Sequence, residues 1–118
     1  MTEVCIFHNP RCSKSRQTLQ LLQERGIEPE VRLYLEQPPG EDELRSILAR
    51  LGLSARDLLR RSEADYKSEG LASPDLGEDE LIAAMVRFPK LIERPIVQVG
   101  ERAVIGRPPE NVLTLLEE

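Results

Sequence analysis

VCIFHNPRCSKSR occupies residues 4–16 and contains three structural signals in a row. The apolar run Val4–Phe7 is typical of a short buried strand. A polar loop with a proline follows, and a helical pattern begins at Ser13. This order predicts that the sulfur of Cys12 lies at a helix N-terminus, where free backbone N–H groups and the helix dipole stabilise a negative charge.

Cys12 has the surroundings of a reactive thiol. Arg11, Lys14 and Arg16 place positive charge nearby, and cations at a helix N-terminus lower the pKa of a thiol. The thiolate is the nucleophile, so we expect Cys12 to be partly ionised at neutral pH and catalytic; an ordinary helix-capping cysteine is the alternative. A phosphatase-type loop is excluded, because it needs an arginine six positions after the cysteine, where this chain has Thr18.

Two further side chains are candidates for tuning the thiolate. Ser15 can donate a hydrogen bond to the sulfur. His8 would attract the thiolate in its charged form. Because the motif is Cys-x-x-Ser, no second cysteine lies one helical turn after Cys12. A catalytic cycle therefore needs a thiol from another molecule, such as glutathione or a small redox protein. The other cysteine, Cys5, is expected to be a buried strand residue.

Composition limits the class of protein. The 118 residues suffice for one domain, residues 1–118. A net charge of −5 speaks against binding nucleic acid. Without a membrane-length apolar run or a signal-peptide pattern, we expect a cytoplasmic protein that binds no membrane. Two cysteines and one histidine do not suffice for the usual tetrahedral zinc site, and we expect neither a metal nor a bound cofactor.

The first part of the chain predicts a β-α-β unit. Apolar residues at helical spacing indicate a helix from about Ser13 to Arg25, which Gly26 ends. Apolar and polar residues then alternate over residues 31–35, as in a strand, with Leu35 as its last apolar residue. Two strands joined by one helix in this way are parallel, with a right-handed crossover.

A helical insertion over approximately residues 41–90 follows. Its predicted helices end, in chain order, at Gly52, at Arg60-Arg61 after an N-cap at Ser54, and at Phe88-Pro89. Residues 62–77 are polar and broken by glycine and proline, which predicts a loop with one helical turn at most.

The C-terminal part predicts a β-β-α unit. Two apolar runs, residues 96–99 and 103–105, flank Gly100-Glu101 in a β-hairpin pattern. A helix from about Pro109 to Glu117 follows. We therefore expect an α/β fold, β-α-β then β-β-α, with the helical insertion between the second and third strands.

Three arginines outside the cysteine loop are candidates for binding a tetrahedral oxyanion: Arg60, Arg94 and Arg107. Guanidinium groups form two parallel hydrogen bonds with such ions, although each arginine alone also fits a helix end or a turn. In the expected topology, the segment that enters the third strand passes beside the loop of Cys12. A cis peptide bond before Pro95 would bring Arg94 towards the sulfur.

These segments together resemble the glutaredoxin-coupled arsenate reductase (ArsC-like) family of the thioredoxin superfamily, in its shorter subgroup. The matching segments cover nearly the whole chain: residues 8–16, 33–36, 38–39, 58–60, 91–97 and 106–110. The resemblance implies a thioredoxin-like fold and a reaction that converts arsenate to arsenite. Cys12 would attack the arsenic, glutathione would act as co-substrate, and glutaredoxin would remove the glutathione.

The resemblance also implies a role for each matched side chain. The arginines that hold the oxyanion match Arg60, Arg94 and Arg107. The positions that tune the thiolate match His8 and Ser15. Arg11 and Lys14 replace the small neutral residues of well-studied members, and either strengthen anion binding or favour another substrate such as a glutathionylated protein.

Two other functions stay open. A monothiol, glutaredoxin-like oxidoreductase acting on glutathione mixed disulfides would use Cys12 but has no evident need for three arginines. A non-enzymatic redox regulator similar to the Spx proteins, which bind RNA polymerase, would carry Cys-x-x-Cys, whereas this chain has Ser15 at the second position.

Overall fold

The computed structural model describes residues 3–116, with Leu116 described by its backbone alone. Contacts divide the chain into two compact units. The sheet unit comprises the residues up to Gln37 together with those from Arg94 onward, and the helical unit is Pro38–Glu93. The helical unit covers the predicted insertion. None of the helices within residues 3–116 is long and apolar enough to cross a membrane.

The elements follow the predicted order. The strands are β1 (Val4–His8), β2 (Glu30–Leu33), β3 (Ile96–Val99) and β4 (Arg102–Ile105). The helices are α1 (Ser13–Glu24), α2 (Glu41–Leu51), α3 (Ala55–Leu58), α4 (Ala64–Ser68), α5 (Glu78–Arg87) and α6 (Leu113–Leu116), with 3-10 helices at Pro89–Leu91 and Pro109–Val112. The sheet has the order β2-β1-β3-β4. β1 is parallel to β2 and antiparallel to β3, and β3 is antiparallel to β4, which confirms the expected fold class.

One buried cluster holds the sheet unit together. Ile6 at the centre of β1 pairs with Val31 of β2 on one side and with Val97 of β3 on the other. The fully buried side chains of this cluster include those of Ile6, Leu22, Val97 and Val112. Burying each such side chain contributes about 1.5–3 kcal/mol. This packing fixes α1 and the C-terminal helical turns against the sheet, and so positions the loop between β1 and α1.

Two ends in the sheet unit differ from the prediction. β2 ends at Leu33 and does not reach Leu35, because the N–H groups of Glu36 and Gln37 both bond to the Leu33 carbonyl and turn the chain. The predicted final helix begins as a 3-10 helix over Pro109–Val112 and becomes α-helical only in α6. Its predicted last residue, Glu117, lies outside the described residues.

The helical unit contains the three predicted helices, which are α2, α3 and α5, and α3 is shorter than predicted. α2 ends at Gly52, whose φ of +70° suits glycine. Ser54 is the N-cap of α3, and its N–H and hydroxyl both donate to the Asp57 carboxylate, at 3.2 and 2.9 Å. α3 ends at Leu58 and does not continue to Arg61, because Leu59 forms an antiparallel bridge with Ile92. The predicted helical turn in the loop is α4.

Candidate active site

Cys12 is the N-cap of α1, as predicted. Its N–H donates to the Asn9 carbonyl and its own carbonyl accepts from the Arg16 N–H, both at 3.0 Å. These two bonds join the loop to the first helical turn. The backbone N–H of Ser15, in the first turn of α1, favours the ionised form of the Cys12 sulfur and lowers the pKa of the thiol. The N-terminus of α1 therefore offers the sulfur a backbone N–H group, which stabilises an anion.

Two arginines from the C-terminal part of the sheet unit reach this sulfur. Arg107 Nη2 donates to Cys12 Sγ at 3.2 Å. Arg107 Nε donates to the Arg94 carbonyl at 2.7 Å, and the Arg94 guanidinium also donates to the sulfur. The peptide bonds Arg94–Pro95 and Arg107–Pro108 are both cis. The sequence prediction that Arg94 faces the thiol is confirmed.

The Cys12 thiol ionises more readily than an ordinary cysteine. Burial opposes ionisation, because only 9% of the residue is exposed. The backbone N–H of Ser15, the hydrogen bond from Arg94 and the positive charge of Arg107 outweigh this effect and lower the pKa of the thiol. A larger fraction of the sulfur is therefore present as the nucleophilic thiolate near neutral pH.

His8 has a different role from the predicted one. It is 6% exposed, and its Nδ1 shares a hydrogen bond of 2.6 Å with the Ser15 hydroxyl. Burial, together with the positive charge of Arg16, lowers the pKa of His8. The imidazole is therefore neutral at pH 7, and the prediction that a charged His8 attracts the thiolate is wrong. Its hydrogen bond with Ser15 instead stabilises the cysteine loop.

Ser15 acts on the sulfur through its backbone. Its hydroxyl oxygen accepts the Asn9 N–H at 3.0 Å and shares a hydrogen bond with His8 Nδ1. Both bonds of the hydroxyl therefore lie within the cysteine loop and β1. The Cys-x-x-Ser motif predicts that this hydroxyl donates to the thiolate. The group of Ser15 that lowers the pKa of the Cys12 thiol is instead its backbone N–H.

The cations adjacent to Cys12 in sequence are arranged differently from the arginines that touch it. Arg16 Nη1 donates to the Pro10 carbonyl at 2.8 Å and so stabilises the loop. Arg11 is exposed, and its backbone N–H donates to Asn9 Oδ1 at 3.0 Å. Lys14 is partly exposed on α1.

Arg60 belongs to the helical unit. Its Nη1 forms an ion pair with Glu93 Oε1 at 3.2 Å, and 16% of its side chain is exposed. Its Nε is buried and lacks a hydrogen-bond partner among the residues that the structure describes. A bound anion would satisfy that donor, and the assignment of Arg60 to oxyanion binding stays a prediction.

Other residues shape the site although the sequence assigns them no role in it. Asn9 shapes the loop through its carbonyl, N–H and side chain. A signal for it existed, since asparagine before proline favours a turn. Thr18 and Gly106 meet across 88 positions of sequence, and no local pattern predicts such a contact. Within residues 3–116, no group of three or more His, Cys, Asp or Glu side chains could hold a metal ion.

Comparison with known proteins gives consistent matches over the whole chain. The ArsC family matches residues 7–115. An arsenate reductase of Neisseria meningitidis is 50% identical over 117 residues, which cover 98% of this chain and 100% of the relative. A protein of Escherichia coli K12 named uncharacterized protein YfgD is 56% identical over 115 residues, 97% of each chain. The solved structure of an arsenate reductase from Vibrio cholerae is 49% identical, with a TM-score of 0.94 and coverage of 96% and 97%.

Proposed function

The chain belongs to the ArsC family, and from this premise we propose that it reduces arsenate to arsenite through the Cys12 thiolate, with glutathione and glutaredoxin as electron donors. One observation carries the proposal: Arg94 and Arg107 both donate to the Cys12 sulfur. Two guanidinium groups at one nucleophilic sulfur form a site for a tetrahedral anion.

Substrate binding begins from this arrangement. Arsenate is an anion, and its approach to a thiolate is opposed by charge repulsion unless cations lie between them. Arg94 and Arg107 supply these cations, since each carries several N–H donors and can contact the sulfur and an arsenate oxygen together. The sulfur then attacks arsenic(V). An As–S bond forms, and one arsenate oxygen takes up protons and leaves as water.

Reduction requires two more thiols. Glutathione replaces a second arsenic oxygen, which also leaves as water, so that arsenic carries both Cys12 and glutathione. The glutaredoxin thiolate then attacks the glutathione sulfur, and the electron pair of the S–As bond stays on arsenic. Arsenic(V) becomes arsenic(III), and the two thiols become one mixed disulfide. Water releases arsenite from Cys12, which regains its thiol.

An external reductant also fits the cysteine motif. One helical turn after Cys12 the chain has Ser15, whose hydroxyl is bonded to His8 and offers no second thiol. We propose that the protein works in the cytoplasm, where glutathione is kept reduced, and that it uses no bound cofactor.

The proposal is tested by oxidation of NADPH in a coupled assay with glutathione reductase, glutathione, glutaredoxin and arsenate. We expect turnover that depends on arsenate, is lost in Cys12→Ser and is kept in Cys5→Ser. Turnover with a glutathione mixed disulfide but none with arsenate would overturn the proposal in favour of a monothiol oxidoreductase.

A further inference from the structure

Gly106 directly follows β4 and lies against Thr18 of α1. A Cβ atom at this position would lie 2.7 Å from Thr18 Oγ1, 2.9 Å from Pro95 Cγ and 3.0 Å from Thr18 Cγ2. Atoms that are not bonded do not approach so closely. The described glycines with positive φ are Gly26, Gly52, Gly70 and Gly100. Gly106 is not one of them, so space, and not backbone conformation, requires glycine here.

Thr18 provides the other side of this contact from within α1. It is fully buried, and its hydroxyl donates to the Lys14 carbonyl at 2.8 Å and is 3.3 Å from the Gly106 carbonyl. A threonine side chain in a helix has few allowed rotamers, so it cannot turn away easily. α1 begins directly after Cys12, and Thr18 therefore ties Gly106 to the helix that carries the reactive sulfur.

Gly106 is also bonded to the segment that carries Arg94, and Arg107 follows it directly in the chain. The Gly106 N–H donates to the Pro95 carbonyl at 2.9 Å. The next residue, Arg107, donates from Nε to the Arg94 carbonyl and from Nη2 to Cys12 Sγ. A displacement of Gly106 away from α1 thus displaces Arg107 from the sulfur.

We propose that the contact between Thr18 and Gly106 sets the distance at which Arg107 meets the Cys12 sulfur, which makes Thr18 and Gly106 positioning residues of the active site. Its consequence for arsenate turnover rests on the proposed function, whereas its consequence for the thiol does not. A methyl group at position 106 needs roughly half an ångström more room. The hydrogen bond from Arg107 is 3.2 Å long, and a lengthening of this size removes most of it.

The test measures the alkylation rate of Cys12 by iodoacetamide against pH, in a Cys5→Ser background where Cys12 is the remaining thiol. For Gly106→Ala we expect the profile to move to higher pH and the rate at pH 7 to fall about threefold to tenfold, because less thiolate is present. Gly40→Ala is the matched control: its φ is −83° and nothing lies within 4 Å of its Cβ position, so its profile stays that of the parent.

A rescue variant separates positioning from general damage. Thr18→Ala removes Oγ1 and Cγ2, two of the three crowding atoms, so the double variant Thr18→Ala/Gly106→Ala should have a profile closer to the parent than Gly106→Ala alone. A double variant no closer to the parent, or an unchanged profile in a folded Gly106→Ala protein, overturns the proposal. If circular dichroism shows that Gly106→Ala does not fold, Thr18→Ala alone decides. Loss of its contact with Gly106 should slow alkylation at pH 7, and an unchanged profile overturns the proposal.

Arsenate turnover, measured on the same variants, distinguishes the two proposals. If the parent turns over arsenate, turnover should fall in Gly106→Ala along with alkylation. If the parent shows no arsenate turnover, the proposed function fails, and the alkylation profiles still decide whether Thr18 and Gly106 position Arg107.

Discussion

The two cysteines of this chain have opposite surroundings. Cys5, on β1, is half-buried, contrary to the prediction that it is buried, and borders a cavity whose lining includes Glu3, Glu28 and Glu30. Cys12, beyond the other end of β1, is buried and receives hydrogen bonds from Arg94 and Arg107. The more exposed thiol is thus not the one prepared for reaction. Neighbouring donors and charges, more than exposure, determine which thiol becomes a nucleophile.

The largest effect should come from Cys12→Ser. A serine hydroxyl does not ionise near neutral pH, so we expect arsenate turnover to fall to the uncatalysed rate while circular dichroism shows an unchanged fold. The coupled NADPH assay measures the turnover. Activity retained in this variant would show that Cys12 is not the nucleophile and would favour Cys5 in that role.

Removing one arginine should make Cys12 less reactive and so reduce the difference in reactivity between Cys12 and Cys5. Arg107→Ala and Arg94→Ala each remove a charge-assisted hydrogen bond worth about 1.5–3 kcal/mol, so kcat/KM for arsenate should fall about 10-fold to 100-fold. The pKa of Cys12, measured by alkylation, should rise in both variants. Arg25→Ala, at the exposed far end of α1, is the control. An effect of the same size in that control would show that general loss of charge is responsible.

Acid should destabilise the folded protein through His8, the last residue of β1. The pKa of His8 is lowered in the folded protein, whereas the unfolded chain titrates near pH 6.5. Below about pH 6.5 the unfolded state therefore binds the proton first. The free energy of unfolding falls until the folded pKa is passed, by at most about 1.4 kcal/mol per pH unit. Measured by urea unfolding, the free energy of unfolding of the parent should fall more steeply in this pH window than that of His8→Gln. Parallel curves would contradict the buried, neutral state of His8.

The smallest effect should come from Cys5→Ser. Cys5 lies near the start of β1, away from the end that Cys12 follows, and its side chain is half-buried, so we expect arsenate kcat/KM within about twofold of the parent, equivalent to about 0.5 kcal/mol. The same coupled assay measures it. A large loss would mean that Cys5 takes part in the cycle as a resolving thiol.

Local sequence predicted most of the fold because the decisive signals are local. Gly26 and Gly52 have φ of +78° and +70° and end their helices where expected, and Gly100, at +61°, lies in the predicted hairpin turn. One of the errors occurs where backbone groups distant in sequence pair with each other. α3 ends early because Leu59 pairs with Ile92, a partner in another segment that periodicity does not reveal.

The same distinction applies to the active site. The position of Cys12 at a helix N-terminus depends on its immediate neighbours and was predicted. The neutral state of His8 and the direction of the Ser15 hydroxyl depend on burial and on a network beneath the loop, and both differ from the prediction. A residue type indicates which hydrogen bonds are available, whereas packing selects the one that forms.

The sequence by itself determines that a thiol lies between a strand and a helix, because all the signals for that arrangement fall within residues 4–16. Only the tertiary structure decides what surrounds the thiol. Arg107 is 95 positions from Cys12, and a hydrogen bond acts over about 3 Å, so the folded sheet must bring the two together. Gly106 and Thr18 gain their importance in the same way, from a close approach that exists only after folding.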